Sequence, residues 1–198
     1  MTPTVQVILA HPRPGSFNHA IAGAVMETLA ELGRPAVLHD LYQEGFDPLL
    51  PAAEIPQDGP LPPWLAAHTA EVTAAPALVM VHPNWWGMPP AILKGWVDRV
   101  LRAGAAYEFL EGDMGEGVPR GLLAAHTALV FNTSNTPADR ELAIFGDPLE
   151  TIWKNCIFGL CGQVRFGRRT FGMICTSTSA QRRGWLAEAR QVVREYLG

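Results

Sequence analysis

The sequence predicts a doubly wound α/β fold: a five-stranded parallel sheet in the order 2-1-3-4-5, covered by helices on both faces as three α/β/α layers. Short apolar runs rich in β-branched residues alternate with stretches of helical periodicity along the chain, the pattern of right-handed βαβ crossovers. The run at 77–82, Ala-Leu-Val-Met-Val-His, is almost wholly apolar, as a parallel strand covered on both faces should be. A length of 198 residues, 48% of them hydrophobic, suits one domain spanning residues 1–198 with a sizeable core.

The elements follow in order. Val5 to Leu9 reads as the first buried strand. Asn18 to Leu32 reads as a helix, because Ile21, Val25, Leu29 and Leu32 fall on one face. Gly33 stops it as a C′ glycine. Ala36 to His39 is the second strand. Residues 47–63 hold six prolines and form an irregular surface excursion. A short helix is expected over Trp64 to Ala74, the third strand over Ala77 to His82, and a helix over Ala91 to Leu101. Thr127 to Phe131 is the fourth strand and Phe171 to Cys175 the fifth, with helices near 149–158 and from Ala180 to Leu197.

Composition narrows the function classes. The net charge is −4 with both signs interspersed, so there is no basic stripe to pair with phosphate backbones and nucleic acid is not an expected partner. No run approaches the roughly 18 apolar residues that span a bilayer. No basic segment precedes the first strand as a leader would, and cytoplasm is the expected compartment. Cys156, Cys161 and Cys175 form no C-x-x-C pair and read as buried thiols. His39, His68 and His126 stand apart in sequence, without metal-ligand spacing, so no metal site is expected.

Ligands of such sheets bind outside the carboxyl ends of the strands, at the switch point between strands 1 and 3. The loop at 10–18, Ala-His-Pro-Arg-Pro-Gly-Ser-Phe-Asn, runs straight into a helix. Unpaired N–H groups and the helix dipole make that end an anion site, with Ser16, Asn18 and His11 as side-chain donors. Ser16 or Asn18 could equally do no more than cap the helix. The loop matches neither the G-x-x-x-x-G-K-[ST] nor the G-x-G-x-x-G pattern, against a triphosphatase or a Rossmann dehydrogenase. The second loop, His82-Pro83-Asn84-Trp85-Trp86-Gly87-Met88-Pro89-Pro90, joins tandem indoles to a proline-restricted backbone. Aromatic faces beside fixed amides suit a flat heteroaromatic ring, unless the indoles plug the core or an interface. The third, Asn132-Thr133-Ser134-Asn135-Thr136-Pro137, is polar beyond what a turn needs, though turn chemistry alone can account for it.

The run Pro-x-Trp-Trp-x-x-Pro-x-x-x-Leu-Lys-Gly-Trp-x-Asp-Arg-Val, Pro83 to Val100, resembles the signature of NAD(P)H:quinone dehydrogenases of the flavodoxin-like fold. His-x-x-x-x-Ser-Phe-Asn at His11 to Asn18, and Ala105-Ala106-Tyr107-Glu108-Phe109, resemble the same family. The resemblance covers nearly the whole chain and implies a flavin, FMN or FAD, reduced by NAD(P)H; no separate adenine-binding segment stands out, which favours FMN. It implies that His11, Ser16, Phe17 and Asn18 hold the flavin phosphate, and that Pro83, Asn84, Trp85 and Trp86 lie along the isoalloxazine. Asn132, Thr133, Ser134 and Asn135 would cover the pyrimidine edge, with Thr133, Ser134 and Asn135 as donors toward it. It further implies a homodimer with its active sites at the subunit interface. Hydride would pass through the flavin to a quinone or similar electrophile in a ping-pong cycle. The alternatives are an azo- or nitro-type reductase on the same cycle, or a non-catalytic flavin-bearing subunit such as an ancillary protein of potassium efflux.

The sequence departs from that family where its usual Thr-Thr-Gly-Gly becomes Asn132 to Asn135, and where Ala125-His126 replaces a Gly-Lys pair. The Tyr and His that assist hydride transfer in mammalian-type relatives are not evident; Asp139, Arg140 and Phe145 stand in that stretch. Among other candidates, Trp96 and Trp153 are expected in the core or an interface, and Asp98 and Arg99 in structural roles. Arg168-Arg169 and Arg182-Arg183 are expected on the solvated surface, with a phosphate contact as the lesser alternative.

Overall fold

The computed structural model describes residues 4–110, 112, 116–162 and 164–198. Its main sheet is parallel and contains β1 (Val5–Leu9), β2 (Ala36–Asp40), β3 (Ala77–Pro83), β6 (Thr127–Ser134) and β7 (Arg165–Gly172) in the order β2-β1-β3-β6-β7. This is the expected 2-1-3-4-5 arrangement. β4 (Tyr107–Glu108) and β5 (Arg120–Gly121) form a separate antiparallel pair that the sequence reading did not foresee. Two-residue strands carry no periodicity to read.

Alternation along the strands sorts the core into two sides. Ile8, Ala10, Leu78, Met80, Ala128 and Val130 pack with Leu65, Leu93, Trp96 and Trp153. Those come from α2 (Pro63–Thr73), α3 (Ala91–Val100) and the helical stretch at 148–161. Val5, Val7, Leu9, Val79, Val81, Leu129 and Phe131 pack with Ile21, Val25, Leu29, Ala189 and Val193. Those come from α1 (Phe17–Glu31) and α7 (Ser179–Leu197). Each such aliphatic side chain contributes about 1.5–3 kcal/mol by leaving water, and this burial holds the three layers together. α1 ends at Leu32 as its C-cap, and Gly33 follows at φ +66°, the left-handed turn that glycine adopts freely. α7 begins with a capping box between Thr178 and Gln181.

Three expectations need correction. The fifth strand is Arg165–Gly172, not 171–175. β7 is an edge strand, paired only with β6, and it buries just Gly167 and Phe171. Its polar residues hid it from a search for apolar runs. The fourth strand runs on through Asn132, Thr133 and Ser134, because Asn132 pairs with both His82 and Thr170 across the sheet. Hydrogen-bond register, not polarity, decides where that strand ends. The helical stretch from 148 is α-helical at α5 (Pro148–Glu150) and α6 (Gly159–Cys161) but π-helical between, over Thr151–Phe158. Before it lie α4 (Ala138–Arg140) and a second π-turn, Glu141–Phe145.

The proline-rich excursion is irregular apart from a 3₁₀ turn at Ala52–Glu54, yet it is anchored. Glu54 is buried and accepts from Arg99 Nε at 2.9 Å and Nη2 at 2.7 Å. Arg99 also donates to the Asp47 carbonyl at 2.6 Å. Arg99 is therefore a structural residue, while Asp98 pairs on the surface with Lys94. No helix among the described residues is long and apolar enough to cross a membrane.

Candidate functional site

The carboxyl ends of β1, β3 and β6 meet at the switch point. There Ala10 N–H donates to Val81 O at 3.0 Å and Asn84 N–H to Thr133 O at 2.7 Å. Around that junction opens a cavity of about 600 Å³, within the usual range of about 300–1,000 Å³ for small-ligand sites. His11, Ser16, Phe17, Asn18, Pro83, Asn84, Trp85, Thr133, Ser134 and Asn135 all line it. Ten of the twelve residues singled out in the sequence thus converge on one space.

One wall is the amino end of α1. Ser16 is its N-cap and its Oγ accepts from His19 N–H at 3.5 Å, so the capping reading of Ser16 holds alongside its place in the cavity. Asn18 is buried and donates through Nδ2 to Thr133 Oγ1 at 2.9 Å. Its Oδ1 has no partner among the described residues, although buried polar atoms are almost always paired. Burial pushes the His11 imidazole below its ordinary value, and the ring stands 6.0 Å from that of Trp85.

The second wall is the loop after β3. Trp85 and Met88 exchange backbone hydrogen bonds of 3.1 and 3.0 Å, closing a two-residue turn over Trp86 (φ +58°) and Gly87 (φ +70°). Left-handed φ at both central residues is the turn a tight hairpin uses. It throws Trp86 outward, where it is 96% exposed, and leaves Trp85 against the cavity. The tandem indoles are thus split, and Trp86 does not line the site.

Asn132 is the other exception. It is fully buried beneath the floor, donating to His82 Nε2 at 2.9 Å and accepting from Arg168 Nε at 2.8 Å. His82 donates through Nδ1 to Pro83 O at 2.8 Å and also accepts from the Trp153 indole at 2.9 Å. Burial lowers this imidazole to about 4, so it is neutral with its proton on Nδ1. Arg168 completes the network with Asp147 at 2.7 Å and Glu150 at 3.3 Å. It is a buried anchor for the floor rather than the solvated residue expected, because Asn132 and two carboxylates consume its donors. Arg169 does lie on the surface, paired with Glu188.

The cavity also includes Arg13, Thr136, Ile174 and Cys175, which the sequence did not single out for the site, and Arg182, for which a phosphate contact was the lesser alternative. Arg182 comes from α7 and donates to Ser177 Oγ at 2.8 Å and Ile174 O at 3.0 Å. Its guanidinium sits 5.9 Å from the centre of the Phe17 ring. It is half-buried here, not free surface. Cys175 and Cys156 are exposed and only Cys161 is buried, contrary to the expectation of three buried thiols. Cys175 follows the edge strand and its N–H is tied to Asn135 Oδ1 at 2.9 Å. Residue distance in sequence concealed both Cys175 and Arg182.

The fold also brings together two histidines that the sequence separates. His39 and His68 lie with ring centres 4.4 Å apart, beside Glu71. Three of their four ring nitrogens have partners already: His39 faces Gln6 Oε1 and Glu44 Oε1, and His68 Nε2 accepts the Trp96 indole N–H at 2.8 Å. Both Trp96 and Trp153 are core residues whose N–H groups satisfy buried histidines.

Residues 3–196 match a protein family described as having the flavodoxin-like fold. An uncharacterized NAD(P)H oxidoreductase of Haemophilus influenzae is 31% identical, covering 96% of this chain and 94% of its own. The NAD(P)H dehydrogenase [quinone] 1 of Rattus norvegicus is 35% identical over 75% of this chain and 77% of its own. Among solved structures, an NAD(P)H:quinone oxidoreductase from Methanothermobacter marburgensis superposes with a TM-score of 0.82 at 26% identity. It covers 98% of this chain and 96% of that one.

Proposed function

The chain belongs to this flavodoxin-like fold family, and from that premise we propose that it is a flavin-dependent NAD(P)H oxidoreductase acting on a quinone or similar electrophile. The observation that carries the reading is the convergence of three loops on one cavity, with an orphaned acceptor, Asn18 Oδ1, at its wall. A polyhydroxylated, phosphorylated ligand with a planar ring fits that donor set. The α1 end with His11, Arg13, Ser16 and the Asn18 backbone would hold the phosphate, while Asn18 Oδ1 would accept from a ligand hydroxyl. Pro83, Asn84 and Trp85 would lie along the ring, and Thr133, Ser134 and Asn135 would meet its polar edge. Trp86 and Asn132 leave the contact set, one turned to solvent and the other working from beneath through His82.

A bound flavin would supply the redox chemistry, hydride transfer between the nicotinamide and the acceptor. The protein's share is placement. The neutral His82, held by Trp153 and Asn132, fixes the Pro83 carbonyl and hence the start of the second loop. Asn84 ties that loop twice, through Gly87 N–H at 3.0 Å and Glu141 Oε1 at 3.0 Å. Donors held in this way need no rearrangement when charge develops at the edge they face. No side chain at the cavity is assigned as a proton donor. FMN is the flavin proposed, with FAD as the alternative, and cytoplasm the compartment.

The chain is proposed to act as a homodimer. The exposed Trp86, Leu142, Ile144 and Phe145 give the rim of the site an apolar face for a second copy.

The test is the absorption spectrum of purified protein and the mass of what it releases on denaturation. A yellow sample bleached by NADH or NADPH without oxygen, and restored by a quinone, is the expected result. A colourless protein that takes up neither FMN nor FAD at micromolar concentration overturns the proposal.

A further inference from the structure

Three residues at the amino end of α1 form a continuous chain. Ser16 Oγ lies 2.7 Å from His19 Nδ1, and His19 Nε2 lies 3.1 Å from Asp40 Oδ2. Asp40 stands at the end of β2, held by the N–H of Gln43 at 3.2 Å. Ser16 is only 3% exposed, and the His19 and Asp40 side chains are 23% and 12% exposed. The chain is thus partly shielded from water.

We propose that His19 and Asp40 are positioning residues that aim the Ser16 hydroxyl hydrogen, so that gripping the cofactor's phosphate draws a proton onto His19. The proposal deepens the flavin reading above and rests on it.

The argument is one of donors and acceptors. A carboxylate only accepts, so the His19 nitrogen facing Asp40 carries a hydrogen. A neutral imidazole has one such hydrogen, which leaves Nδ1 bare and accepting from the Ser16 hydroxyl. That hydroxyl has a single hydrogen, and once it points at His19 only oxygen lone pairs face the cavity. Phosphate oxygens also accept, so the two groups then repel. Protonation of His19 reverses the bond: Nδ1–H donates to Ser16 Oγ, and the hydroxyl hydrogen is free to reach the phosphate. It also places a positive charge beside an anion. Ionisable groups beside His19 include His11, whose ring centre is 6.3 Å away, and Asp40, with Arg13 in the same loop as His11. By linkage, a ligand that favours the protonated form must take a proton up as it binds.

Calorimetric titration of the full-length chain, freed of flavin, in two buffers of different ionisation enthalpy reads that proton directly. The probe is FMN, or FAD if that is the flavin released from the purified protein, at pH 7.5. His19→Asn is the reference, because an asparagine amide can donate to Ser16 from the place of Nδ1 without titrating. The wild type is expected to take up as much as one proton more than His19→Asn. Its affinity relative to that variant should weaken, by up to about tenfold per pH unit, as pH rises. Asp40→Asn should bind flavin with a reduced uptake. Riboflavin has no phosphate, and with it wild type and His19→Asn should exchange equal numbers of protons.

Equal proton counts for the phosphorylated flavin in wild type and His19→Asn overturn the proposal while leaving the flavin reading intact. A wild type that binds neither FMN nor FAD overturns both. Should His19→Asn fail to fold, the comparison of FMN with riboflavin on the wild type decides, and equal uptake for the two overturns the proposal.

Discussion

Two buried imidazoles show how single residues set the pH range in which this protein is stable. Burial is the main force lowering His68 to about 4, and the neighbouring His39 adds to it. An unfolded histidine titrates at about 6.5, so the unfolded chain binds the extra proton first. Stability is therefore full above about pH 6.5 and is lost as pH falls toward 4. His68 is partly solvated, which limits its share to about 2 kcal/mol. His68→Gln keeps an acceptor for the Trp96 indole but cannot titrate. Its melting temperature should fall between pH 7 and pH 5 by about 3–6 °C less than that of the wild type, as read by circular dichroism. At the cavity, Asn18→Ala removes both the Thr133 bond and the unpaired acceptor. Flavin affinity should drop by about tenfold or more in a fluorescence titration, with the far-ultraviolet spectrum unchanged. The place of His11, Ser16, Asn18 and Trp85 at the cavity was legible in the sequence because helix starts and aromatic loops after buried strands have local signatures. Arg168, Cys175 and Arg182 were not. Their roles come from partners reached only through the sheet, such as Asn132 for Arg168, 36 positions away.

The elements were legible in proportion to their burial. β1 and β3 are buried from end to end and apolar but for Gln6 and His82, because both faces are covered, and the reading found them. β7 lies on an edge and carries Arg165, Arg168 and Arg169, so its eight residues gave no apolar run. Charges on an edge also discourage pairing with a second sheet, which makes the polar sequence a functional choice at that place. The π-helical turns over Thr151–Phe158 were invisible as well, since one side-chain pattern serves neighbouring helix types. α3 provides an element-level test. A Cβ on Gly95 would fall on the backbone and ring of Pro48, in the anchored excursion that cannot retreat while Glu54 is bound to Arg99. Gly95→Ala should destabilise the protein by at least about 2 kcal/mol in urea unfolding despite better helix propensity. Glu54→Ala should destabilise it by about 3–5 kcal/mol, because it strands the Arg99 charge.

At the scale of the molecule, the doubly wound topology places the site where two winding directions part, and the sequence allowed that position to be named before any coordinate. What it did not reveal was which indole faces the cavity, because that depends on the sign of φ at one residue. Trp86→Ala should leave the monomer folded, since the side chain touches little of its own chain. It should weaken the proposed dimer, seen as a lower mass in sedimentation equilibrium at micromolar concentration.

The outward indole has an optical consequence. Of the six tryptophans, Trp96 and Trp153 emit from a dry interior, whereas Trp86 at 96% exposure emits from bulk water. Trp64 and Trp85 are about half-exposed, so Trp86 is the most solvated contributor to the red edge of the fluorescence spectrum. Holding a bulky residue at φ +58° also stores about 1–3 kcal/mol, an energy released to whatever surface relaxes that turn. A blue shift confined to that red edge would then time the moment at which the rim of the site becomes covered.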